Sequence, residues 1–168
     1  MADSGLKPPT KPTSLLFVVA EPGARWPAWL TRRQKTMPQV VAVSGDREQT
    51  PAELALRVQR RIEQIDAKGA HVGMAVILAG AETPSDDLFQ ARCLMARTFL
   101  THLTARGRGD LVFGCSAAIG SSAGLELMSL VGTLTSQLDS SRISVGIRFE
   151  SETEGLARPR IEMSGAVA

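Results

Sequence analysis

The chain has 168 residues, the size of one ordinary domain. With 43% apolar and 21% charged residues it supports a packed core, which excludes wholesale disorder. Lys plus Arg is 19 and Asp plus Glu is 17, so the net charge is +2, far from the basic excess of a dedicated nucleic-acid binder. Two cysteines exclude a disulfide framework and a cysteine-built zinc site.

Residues 1–13, rich in Pro, Lys and Thr, read as a flexible lead. Residues 15–20 (LLFVVA) are short, continuous and apolar and stop at Pro22-Gly23, which predicts a buried strand. Trp26, Trp29 and Leu30 are expected on one face of a short helix, with Arg32, Arg33 and Lys35 near its C-terminal end, where cations suit the dipole. Residues 39–44 (QVVAVS) predict a second strand, ended by Gly45-Asp46. Thr50-Pro51-Ala52-Glu53 fits a capping box, and Leu54, Val58, Ile62 and Ile65 then share one helical face. Gly69 ends that helix, and 72–78 (VGMAVIL) is a third strand, too apolar for a half-exposed sheet.

Thr83-Pro84-Ser85-Asp86 repeats the capping pattern before a second long helix. Its apolar positions, among them Leu88, Phe89, Met95, Phe99 and Leu103, cover more than a narrow stripe. It stops in Arg106-Gly107-Arg108-Gly109, and 110–114 (DLVFG) is the fourth strand. Ser121 or Ser122 caps a third long helix with Leu127, Leu130, Val131 and Leu134. Gly132 inside it costs about 1 kcal/mol relative to Ala, which close helix–helix or helix–sheet approach would explain. Residues 143–150 predict the fifth strand, 152–155 a turn, and 158–163 an exposed edge strand.

Strands alternating with long helices imply an α/β fold: a single Rossmann-like three-layer domain over 14–163, with a short tail at 164–168. Its sheet is expected to be mostly parallel and five- or six-stranded, with a C-terminal antiparallel hairpin as an option. Right-handed crossovers put the strand-to-helix loops at one edge, where ligands of such sheets bind. The longest apolar stretch is about half a membrane span, and 15–20 is too short for a signal-peptide core, so the chain is read as cytoplasmic, off the membrane and with Cys93 and Cys115 reduced.

Three loops are selected at that edge: 44–48, 80–83 and 114–122. The last is long, small and polar and leads into a helix N-terminus, which makes Gly114, Ser116, Gly120, Ser121 and Ser122 candidates for an anion or nucleotide cradle. Its plainer reading is a Gly/Ser turn before a capped helix. Small-x-Ser-x-small at 114–118 is similar to a nucleophile elbow, but no His follows position 102, and His71 and His102 are expected at the opposite edge of the sheet. No catalytic residue and no metal ligand is therefore assigned. Asp46 and Glu48, with Glu82, read as solvated loop carboxylates or as Mg²⁺ ligands beside a nucleotide. Arg32, Arg33 and Lys35, and Arg57, Arg60 and Arg61, form two basic clusters, read as solvated faces or as attraction for an acidic partner.

Val41-Ala42-Val43-Ser44-Gly45-Asp46, and Leu111-Val112-Phe113-Gly114-Cys115-Ser116 followed by a helix and Ile143-Ser144-Val145, resemble strand ends of the universal stress protein family. The resemblance spans roughly 39–150 and is mainly architectural. It implies a compact Rossmann-like fold, dimerisation and, in many members, ATP binding. Of that family's ATP motif only Gly132-Thr133 is matched, with Ile119 and Ser122 at two glycine positions. The resulting expectation is a non-catalytic regulatory or stress-response module, a homodimer without nucleic-acid partners. It binds a small anionic or nucleotide-like ligand, ATP with Mg²⁺ being one such, through Ser44, Asp46, Gly114, Ser116, Gly120, Ser121 and Ser122. Two alternatives stand beside it: a Mg²⁺-dependent phosphoester hydrolase or transferase using Asp46 and Glu82, and an interaction scaffold without a ligand.

Overall fold

The apolar runs at 15–20, 39–44, 72–78 and 110–114 become strands, and the runs capped by Thr50, Ser85 and Ser121 become helices. The computed structural model describes residues 14–37, 39–80, 85–116, 121–138 and 142–149, and the backbone of 162–164. The elements are β1 (Ser14–Ala20), α1 (Ala28–Thr36), β2 (Gln39–Ser44), α2 (Pro51–Ala67), β3 (His71–Leu78), α3 (Asp86–Arg106), β4 (Gly109–Cys115), α4 (Ser122–Ser136), β5 (Ile143–Phe149) and β6 (Glu162–Ser164).

They build one sheet in the order β2-β1-β3-β4-β5-β6. The first five strands are parallel and β6 runs antiparallel to β5. This is a doubly wound, Rossmann-like α/β fold in the flavodoxin-like order. The exits of β1 to β5 therefore share one edge. The chain steps from β1 outward to β2, then returns across β1 to β3, β4 and β5. Right-handed crossovers consequently place α1 on one face and α2, α3 and α4 on the other.

Alternation along the strands feeds the two cores. Leu15, Phe17 and Val19 of β1 join Val58, Phe99 and Leu127 in the larger one, and Phe17 meets Phe99 edge-on at 5.1 Å. Leu16, Val18, Met74, Val76 and Val112 pack with Trp29 and Leu30 of α1 in the smaller one. With nine residues, α1 is too short to cover the whole sheet. A hollow of about 420 Å³ remains between α1 and β4–β5, where β5 presents Ser144, Gly146 and Arg148. This one-sided cover explains the partial alternation of residues 143–150.

Local signals set the helix ends. The Thr50 hydroxyl accepts the Glu53 N–H, and the Glu53 carboxylate accepts the Thr50 N–H, closing the expected box. The second start differs from expectation: Ser85 is the N-cap, accepting the Leu88 N–H, and α3 begins at Asp86. Thr83 and Pro84 lie outside the described residues. Gly107 ends α3 at φ 81, a left-handed position that favours glycine.

Two further expectations are corrected. Trp26 does not share a face with Trp29 and Leu30; Pro27 is the N-cap, so Trp26 precedes the helix and is 39% exposed while Trp29 is 3% exposed. Gly132 is not at a close approach, since a Cβ there would meet nothing within 4 Å. β6 covers 162–164, shorter than the expected 158–163, and the turn expected at 152–155 lies outside the described residues. Among the described residues no helix is long and apolar enough to cross a membrane.

Candidate functional site

The sheet order puts its switch point between β1 and β3, whose onward connections leave in opposite directions. A cleft of about 230 Å³ opens there, between the N-terminal ends of α2 and α3. Pro22, Leu54, Leu88 and Met95 give it an apolar floor, and Asp46, Arg47, Gln49 and Thr50 a polar rim. The loops around it are tightly fitted. A Cβ on Gly80 would lie 2.3 Å from the Pro22 carbonyl oxygen, and one on Gly45 would lie 2.8 Å from Pro22 Cδ. These glycines thus let the loops after β1, β2 and β3 nest together.

Beneath the cleft lies a buried ion pair that the sequence reading did not single out. Glu21, directly after β1, is 4% exposed, and Arg92 of α3 is 2% exposed. Arg92 donates from Nε to Glu21 Oε2 at 2.7 Å and from Nη2 to Oε1 at 2.6 Å, a two-point clamp. Glu21 Oε1 also accepts the Gly80 N–H at 2.9 Å. Glu126 Oε1 stands 3.7 Å from Arg92 Nη1, an ion pair too long for a hydrogen bond. Burial opposes the charge of Arg92, but the hydrogen bonds and charge of Glu21, with Glu126 and Cys115, raise its pKa above the ordinary guanidinium value. One clue was present in the sequence: Arg92 falls among Leu88, Met95, Ala96 and Phe99 on the core side of α3, where a cation needs a buried partner.

The expected site residues fall into two groups. Ser44 ends β2 and Asp46 follows it, whereas Gly114 lies near the end of β4 and Ser116, Ser121 and Ser122 follow that strand. β1 and β3 lie between, so about 14 Å separates the two strand ends at ~4.8 Å per strand. Asp46 lines the cleft, and its Oδ1 accepts the Glu48 N–H at 3.3 Å. The Ser44 carbonyl accepts from Arg57 Nη1 at 2.8 Å. Gly114 is buried in β4, where a Cβ would lie 2.7 Å from Leu78 Cδ2; its small size serves packing. Ser116 is exposed and borders a small hollow with Arg25, Trp29 and Arg148. Ser121 is the N-cap of α4, accepting the Gly124 N–H at 3.1 Å, and Ser122 is an exposed first helical residue. Gly120 and Glu82 lie outside the described residues. Among the described residues no group of three or more His, Cys, Asp or Glu side chains is placed to hold a metal ion.

Both histidines lie at the opposite edge, as their positions in β3 and α3 predict. His102 Nε2 accepts the Val72 N–H at 3.0 Å, so its proton sits on Nδ1, 2.6 Å from Asp66 Oδ1. That geometry clamps the start of β3 and leaves no free nitrogen for base catalysis. His71 stacks on His102 with centroids 5.9 Å apart. Burial, with His102, Arg108 and Arg106 nearby, lowers the His71 pKa. Cys115 is buried and Cys93 half-buried; burial pushes the Cys93 thiol up.

No protein-family model matches the chain, and no curated protein matches it. Among solved structures, a short chain dehydrogenase from Salmonella enterica subsp. enterica serovar Typhi str. CT18 is similar over 83% of this chain and 76% of that chain, at a TM-score of 0.49 and 12% identity.

Proposed function

We propose that the chain is a non-catalytic regulatory module that holds a nucleoside-like ligand in the switch-point cleft. The observation that carries this reading is the cleft itself, an apolar floor with a polar rim where doubly wound sheets bind ligands. At about 230 Å³ it lies below the ~300–1,000 Å³ of sites for drug-sized ligands, which favours one ring system with a small polar appendage. The flat ring rests on Leu54, Leu88 and Met95, and Asp46 accepts from hydroxyls of the sugar. The first turns beside the cleft carry Glu53, Asp86 and Asp87, which disfavour a triphosphate there. The universal-stress-like strand end at Val41–Asp46 points to the same ligand class.

A thermal-shift series with adenosine, AMP and ATP, each with and without Mg²⁺, tests this. Adenosine at a hundredfold excess over Kd adds about 2.7 kcal/mol, or about 5–10 °C in Tm for a chain of this size. Asp46→Ala, an exposed change, reduces the shift without lowering the Tm of the free protein. Absence of a shift with all three compounds rejects the reading. The expected homodimer is supported by α4, whose exposed Leu125, Ser129, Gly132 and Thr133 carry no charge; sedimentation at monomer mass at high protein concentration removes it.

A further inference from the structure

One basic cluster of the sequence has a structural setting that the cleft does not use. Arg57, Arg60 and Arg61 project from α2 over a hollow of about 450 Å³ beside β2. Among the described residues β2 is the terminal strand of the sheet and pairs only with β1. It carries no Lys, Pro, Asp or Glu, the residues with which natural edges are blunted. Ala42 is exposed, and Val40 and Val41 are half-buried. Among the described residues no carboxylate lines the hollow; the polar side chains there are the three guanidinium groups and Gln64.

The backbone at this edge is oriented for pairing. Gly45 donates its N–H inward to the Ala20 carbonyl at 2.7 Å. By the two-residue alternation of a strand, Val40, Ala42 and Ser44 turn their N–H and C=O groups outward. The outward Ser44 carbonyl is taken by Arg57, which closes that end of the edge. Val40 and Ala42 remain as the docking register.

We propose that β2 accepts an acidic extended segment of another protein as an added strand, with acidic residues at every second position. Added strands gain affinity from backbone hydrogen bonds and specificity from alternate side chains. Val41 and Val43 face the α2 layer, whereas Val40 packs towards α1. Alternate residues of the incoming strand therefore lie under the arginines. Their spacing is about 6.8 Å along a strand. Arg57 and Arg61 are separated by about 6.0 Å along the helix axis. The two repeats match closely enough for successive carboxylates to meet successive guanidinium groups. The intervening positions of the partner rest beside Val40 and favour apolar side chains.

The test uses the full chain and a capped peptide of alternating Glu and Val. Its expected signature is slowed amide exchange at Val40 and Ala42, with chemical-shift changes confined to β2 and α2. Arg60→Glu/Arg61→Glu, at exposed positions, lowers affinity at least tenfold and transfers preference to an alternating Lys–Val peptide. A Glu–Val peptide N-methylated on one edge, which keeps charge but loses strand pairing, fails to bind. The proposal is overturned if the methylated peptide binds equally. It is also overturned if a short DNA duplex or polyphosphate displaces the peptide by charge alone, or if β2 amides are already protected in a dimer of the chain. Arg57 also donates to Gln49 Oε1 on the cleft rim at 3.1 Å, but Arg60 and Arg61 do not line the cleft, so the double variant tests the edge separately from the cleft.

Discussion

Replacing Arg92 with Met removes the cation that holds Glu21 while keeping most of the side-chain volume. Glu21 then keeps only the Gly80 N–H as a described hydrogen-bond donor, in a site where the carboxylate is 2% exposed. Leaving one member of a buried pair uncompensated costs about 3–5 kcal/mol. For a domain of this size that corresponds to a fall in Tm of about 6–20 °C, at roughly 2–4 °C per kcal/mol. Glu21→Gln leaves the guanidinium short of its main partner and is expected to cost a similar amount. The double variant Glu21→Gln/Arg92→Met removes both charges and recovers much of the loss, because a buried pair is often replaceable by neutral groups of similar volume. Urea denaturation of the four proteins closes the cycle. A single variant within about 0.5 kcal/mol of the parent, the range of ordinary surface changes, or losses that simply add, would refute the claim that this pair anchors α3 to the strand edge.

The remaining predictions concern glycine and histidine. Gly132→Ala should stabilise by about 0.5–1 kcal/mol, since the position is helical, exposed and open around its Cβ. Gly80→Ala should do the opposite and lower the urea midpoint clearly, because its Cβ would collide with the Pro22 carbonyl at 2.3 Å; equal midpoints for the two variants would contradict the nested-loop packing. His71 has a lowered pKa in the fold, so between that value and 6.5 the unfolded chain binds more protons than the native one. Stability therefore rises with pH through this window and is lost as pH falls below about 6.5, by at most about 1.4 kcal/mol per pH unit for one group. His71→Phe removes this contribution, and urea midpoints measured from neutral to mildly acidic pH should flatten accordingly.

Much of the architecture was legible in short-range pattern. Apolar runs bounded by Pro and Gly, and the Thr50–Glu53 box, are interactions within a few residues of chain, so composition and spacing specify them. The parallel sense of the strands follows as well, because each is joined to the next through a helix. Where the pattern misled, a local competitor prevailed: Ser85 captured the start of α3, and Pro27 delayed α1 past Trp26. The candidate site was legible only in part. Asp46 was placed at the right edge, but its grouping with Ser116 and Ser121 depended on which strands lie between β2 and β4. Strand order follows from how crossovers pack, a long-range choice with no signature in any single segment. The same holds for Glu21 and Arg92, 71 residues apart in the chain. Arg92 on the core side of α3 signals that a buried partner exists, but nothing in the chain near it names Glu21; only the packing of α3 over the exits of β1 and β3 brings the two into one clamp beneath the cleft.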